Sequence, residues 1–150
     1  MNEQEKQILL QDLCARLRYG VVCRTSVGDY RLLGIDVNIG NVMHLDSPIY
    51  DEGDGYFDMD YQEVKPYLRP MSSMTEDEKK ELEDICTMYN GGNHTDYESF
   101  GIEILITHPG YGDSFCQDFT ALDWLNANHF DFRNLVGKGL AIDCTDLNIY

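Results

Sequence analysis

The chain has 150 residues, with 27 Asp and Glu against 11 Lys and Arg, for a net charge of −16. That balance argues against direct nucleic-acid binding, which draws its affinity from cations that displace counterions, and against docking on an anionic membrane. A content of 43% hydrophobic and 11% aromatic residues lies outside the disordered range and predicts one globular domain over residues 1–150, with an acidic loop at 46–55.

In chain order, residues 3 to 18 read as a helix. Ile8, Leu9, Leu13 and Leu17, joined by Leu10 and Cys14, recur at helical spacing, Arg16 and Arg18 suit the C-terminal dipole, and Gly20 stops the helix. Residues 21 to 46 read as a β-meander. Its strands are Val21–Cys23, Tyr30–Val37 and Val42–Leu45, with turns at Val27-Gly28-Asp29 and Asn38-Ile39-Gly40-Asn41. Tyr56–Tyr61 alternates and adds a short fourth strand. Lys65–Met74 reads as a connector, extended at Pro66 and Pro70. Thr75 and Glu78 form a capping box that opens a helix carrying Leu82, Ile85, Cys86 and Tyr89, and Asn90-Gly91-Gly92 ends it. Ile102, Ile104 and Ile106 mark a strand. A short helix covers about Ala121 to Asn128, Asp131 caps a further turn through Leu135, and Leu140–Asp143 is the last strand. This order predicts an α+β fold with a mainly antiparallel sheet.

The start of the chain is polar and acidic, so a cytoplasmic protein is expected, with Cys14, Cys23, Cys86, Cys116 and Cys144 as buried or half-buried free thiols. No apolar run reaches the roughly 20 residues that span a bilayer.

No motif names a chemistry. Asp51-Glu52-Gly53-Asp54-Gly55 with Asp58 and Asp60 has the composition of a calcium loop but not its ladder of ligand offsets. His44, His94, His108 and His129 with the cysteines match no compact zinc spacing, and His129 reads better as a helix end. Gly110-Tyr111-Gly112 lacks the rest of a phosphate loop. His108, Asp113 and Ser114 lack a nucleophile elbow. No catalytic residue, metal or cofactor is therefore expected.

Two features point to a protein partner. No Lys or Arg occurs from Leu32 to Val64 or from Glu81 to Phe132. Within the first stretch Asp51, Glu52, Asp54, Asp58, Asp60 and Glu63 crowd together, flanked by Tyr50, Tyr56, Tyr61 and Tyr67, and acids among tyrosines can imitate phosphates and bases toward a basic protein. Trp124, Phe130 and Phe132 form either a core cluster or an aromatic face for a partner.

Asp12-Leu13-Cys14-Ala15-Arg16-Leu17 with Tyr19-Gly20-Val21, the string from Val64 through Pro66-Tyr67-Leu68-Arg69-Pro70-Met71-Ser72-Ser73-Met74-Thr75, and the tail from Asp123-Trp124-Leu125-Asn126 to Gly139-Leu140-Ala141 together resemble a family of short uncharacterised proteins from gut bacteria and their prophages. The resemblance implies a mobile-element setting and transfers no catalytic residue. With the charge, it leads to the expectation of a non-enzymatic acidic protein that binds and blocks a basic, nucleic-acid-handling protein. An adaptor that uses the aromatic face and a small enzyme are the alternatives.

Overall fold

The computed structural model describes residues 1–36, 42–46, 56–89 and 119–150. The fold is α+β, with helices α1 (Glu3–Arg16), α2 (Glu76–Tyr89) and α3 (Phe119–Ala127) on a mainly antiparallel sheet. The described strands are β1 (Val22–Arg24), β2 (Asp29–Asp36), β3 (Val42–Asp46), β4 (Tyr56–Asp60), β5 (Lys65–Pro70), β6 (Phe130–Asp131) and β7 (Ile142–Asp143). They run in the order β4-β3-β2-β1-β5-β6, with β7 also on β5.

Helix α1 starts at Asn2, whose side chain accepts from the Glu5 N–H while the Glu5 carboxylate accepts from the Asn2 N–H, at 2.9 and 2.8 Å. After Arg16 the chain tightens into a 3-10 turn, Leu17–Tyr19, closed by Gly20 at φ +67°, the left-handed conformation that glycine adopts without strain. The β1–β2 and β2–β3–β4 pairings are antiparallel, as the meander predicts. A bulge between Leu32 and Gly34 lets both Leu32 and Ile35 serve the inner side, and Gly34 lies against His44, where a Cβ would stand 3.2 Å from its ring.

The expected connector at Lys65–Met74 is instead the junction of the sheet. β5 pairs antiparallel with β1 and parallel with both β6 and β7. Its prolines stand at the second and last positions: Lys65 and Pro66 lie opposite Arg24 and Cys23 of β1, while toward the tail Arg69 N–H donates to His129 O and Cys144 N–H donates to Leu68 O. Proline selects extended backbone, and the missing N–H groups fall where the pairing does not need them. Tyr67 and Leu68 are fully buried. Met71–Ser73 then form a 3-10 turn, and α2 begins in the expected box, with Thr75 N–H donating to Glu78 at 2.8 Å and Glu78 N–H donating to Thr75 Oγ1 at 3.3 Å. The turn after Asp131 is capped as expected, but 132–139 are irregular turns rather than helix, and the last strand is shorter than Leu140–Asp143.

Two apolar clusters flank β5. One joins Leu9 and Leu13 of α1 to Val21, Leu32, Leu45, Val64, Leu68 and Leu135. The other joins Met71, Met74, Leu82, Ala121, Leu125, Phe130 and Phe132. No described helix is long and apolar enough to cross a membrane. The expected strand at Ile102–Ile106, the helix stop at Asn90-Gly91-Gly92 and Cys116 lie outside the described residues. Cys23 and Cys144 are buried and Cys86 is half-buried, whereas Cys14 is exposed, because Leu13 and not its neighbour faces the sheet.

Candidate functional site

The predicted site residues separate. Asp51, Glu52 and Asp54, like most of the acidic loop, lie outside the described residues. Asp58, Asp60 and Glu63 are exposed. In the β2–β3–β4 ribbon, Met43 pairs with Met59 and Leu45 with Phe57, and Leu45 is wholly buried. Alternation therefore puts Asp58 and Asp60 on the opposite, outer side. Asp36 shares that side, across Val42 from Asp60. His44 meets Asp58 there through Nδ1 at 2.7 Å, and Asp60 caps the next turn by accepting from Gln62 N–H at 2.9 Å. Of the tyrosines beside the loop, Tyr50 lies outside the described residues, while Tyr61 and Tyr67 are buried and do not share this surface, and the Tyr67 hydroxyl donates to Asp29 at 3.0 Å.

The aromatic face does not form. Phe130 and Phe132 are both 0% exposed, and half-buried Trp124 stacks on Phe130 with ring centroids 5.7 Å apart. Both phenylalanines follow α3 directly and point into the second cluster, where burial outweighs any surface role.

The interior holds a polar assembly that hydrophobic periodicity alone misses. Asp12 and Arg16 are both 0% exposed. Arg16 grips Asp12 with two hydrogen bonds, at 2.8 and 3.0 Å, and donates from Nη2 to Phe130 O at 2.6 Å. Arg133 donates to Asp12 Oδ1 as well, at 3.0 Å, and both guanidinium groups lie over the Phe132 ring. A signal was present: Leu9, Asp12, Leu13 and Arg16 follow i, i+3, i+4, i+7 spacing, so the charged pair occupies the core stripe of α1.

His129 closes this assembly. It ends α3 at φ +57°, its N–H bonded to Asn126 O at 3.2 Å, in the helix-end position expected for it. Its ring is buried and stacks on Tyr150 at 3.6 Å. Burial and the nearby Arg16 hold it neutral, down to about 4. About half of Tyr150 is exposed, yet its hydroxyl turns inward, donating to Tyr67 O at 2.8 Å and accepting from Val22 N–H at 3.3 Å.

Beside the assembly, a cleft of about 220 Å³ lies between the turn after β5 and the turns after β6. Pro70, Met71, Ser72, Asp131, Asn134, Val136 and Gly137 line it. Asp131 is 2% exposed, and its two oxygens accept from Leu135 N–H at 2.7 Å and Val136 N–H at 2.8 Å. Burial pushes its carboxyl above the ordinary range despite those bonds. A Cβ on Gly137 would stand 2.2 Å from Asn134 Oδ1, so a larger residue there would force the Asn134 side chain aside.

Among the described residues no three or more His, Cys, Asp or Glu side chains are placed to hold a metal ion. His94, His108, Cys116, Gly110-Tyr111-Gly112, Asp113 and Ser114 lie outside them. No family model, no curated protein and no solved structure matches the chain.

Proposed function

We propose that this is a non-enzymatic acidic protein that binds a basic protein partner through the outer face of the β2–β3–β4 ribbon. The observation that carries the reading is the distribution of charge. Lys6 pairs with Glu3, Arg18 with Asp123, Arg24 with Asp29, Arg69 with Glu78 and Lys79 with Glu76, while Arg16 and Arg133 converge on Asp12 inside the core. From Leu32 to Val64 the sequence has no Lys or Arg, and Asp58, Asp60 and Glu63 of this stretch are exposed. Such a surface steers a cationic protein toward it and repels nucleic acid. The resemblance to short prophage proteins supports a blocker of a basic nucleic-acid-handling protein acting in the bacterial cytoplasm. The buried positions of Phe130 and Phe132 remove the observation that favoured an adaptor reading.

The test captures partners from nuclease-treated bacterial lysate, purifies the main basic protein and measures its affinity at several salt concentrations. Affinity should fall steeply with salt, and the double variant D58K/E63K should weaken binding by at least about tenfold while the melting temperature holds. Equal binding by an unrelated acidic protein of the same net charge, or no effect of the double variant, would sink the reading.

A further inference from the structure

The cleft between residues 70–72 and 131–137 is not used by the ribbon reading, and its chemistry differs from that of an exposed acidic surface. Asp131 is the one ionisable side chain in its lining. Its carboxylate cannot turn away, because Leu135 and Val136 N–H hold one oxygen each. Each oxygen keeps a further lone pair for a donor. Arg16 and Arg133 pair with Asp12, and Arg16 reaches Asp131 only through its field, since no described cation forms an ion pair with Asp131. A buried side chain lining the cleft thus has no ion-pair partner among the described residues, an arrangement that an entering cation relieves. The remaining lining divides in the same sense. Pro70, Met71 and Val136 offer an apolar wall to an alkyl stem, while Asn134 and the Ser72 hydroxyl are adaptable acceptors near the rim. An anion would meet the carboxylate head-on, and an alkane would leave it unanswered.

We propose that this cleft binds a single alkylguanidinium or alkylammonium group, as carried by an arginine or lysine side chain or by a free small amine. The stem lies on Pro70, Met71 and Val136, and the head donates to Asp131. The volume, about 220 Å³, suits one such group rather than a nucleotide or a sugar chain. The site lies where the prolyl string of the middle segment meets the tail, which gives that string a role beyond entering α2. The proposal stands whether or not the ribbon binds a basic protein.

The test is a titration of the full ¹⁵N-labelled chain with n-butylguanidinium chloride, with n-butanol and sodium chloride as controls. Saturable shifts at the amides of Ser72, Asn134, Val136 and Gly137 are expected from the guanidinium alone. Asp131→Asn should abolish them. Since that change also disturbs the turn Asp131 caps, Ser72→Arg serves as the second variant: Ser72 is exposed, and a fixed cation at the rim should weaken binding by about tenfold with the fold intact. Equal shifts from butanol, no saturable shift, or undiminished binding by Ser72→Arg overturns the proposal. A capped Gly-Gly-Arg-Gly-Gly peptide separates the sources. Binding as tight as butylguanidinium identifies a protein side chain as ligand, and exclusion of the peptide identifies a free amine.

Discussion

At the scale of single residues, Asp12 has the largest structural role. It faces two guanidinium groups in a site that water does not reach, so its charge is what makes Arg16 and Arg133 tolerable there. Replacing a buried pair with apolar groups can be neutral, but removing one partner leaves a bare buried charge. Asp12→Asn should therefore cost about 4 kcal/mol, seen as a lower urea midpoint with an unchanged slope. His129 sets an acid limit. Its value is depressed from 6.5 to about 4 in the folded chain. A lowered value means that the unfolded chain takes up the proton first, so stability is complete above pH 6.5 and falls as pH drops toward 4, by at most roughly 3 kcal/mol. Glu78, lowered to about 2 from 4.5 by Arg69, continues the loss below that window. Asp131, raised by burial, works in the opposite sense and partly offsets it. His129→Gln should flatten the dependence of the melting temperature between pH 6.5 and 4. An unchanged slope would assign the loss to other groups.

At the scale of elements, the start of α2 couples a local signal to a long-range one. Glu78 accepts from Thr75 N–H and also binds Arg69 of β5 through both oxygens, at 2.7 and 3.0 Å. The capping box is local and thus readable from four consecutive residues, while the Arg69 pair depends on where β5 lies. Thr75→Ala should destabilise the chain by about 1 kcal/mol, and Glu78→Ala by more, because it removes both the cap and the countercharge of a partly buried arginine. Equal losses in chemical denaturation would mean that the Arg69 pair contributes nothing. β5 is the element that pattern reading placed wrongly. Two prolines in six residues read as a connector, and only pairing with β1, β6 and β7 makes the segment a strand.

Across the whole molecule, the acids of the two cation-free stretches do not gather on one described face. β4 stands at one end of the strand order and β6, with α2 and α3 packed near it, at the other. The chain therefore carries negative charge at both ends, and its self-repulsion acts against compaction. Raising sodium chloride from about 0.01 to 0.15 M shortens the screening length from about 30 to 8 Å, so the melting temperature should rise over that range. A fall would mean that the surface ion pairs outweigh the repulsion.

The sequence by itself determined what depends on neighbours along the chain: α1 and its glycine stop, the meander, the capping box of α2, the short helix before His129 and the sign of the surface. Each follows from a propensity or periodicity contained within a dozen residues. The tertiary structure alone decided the rest. It placed Asp12 and Arg16 in the core by bringing Arg133 from 121 positions away, buried Phe130 and Phe132, made β5 the junction, and joined Met71 to Asp131 across the cleft. Burial and countercharge are properties of distant segments meeting, and no local pattern encodes which segments will meet.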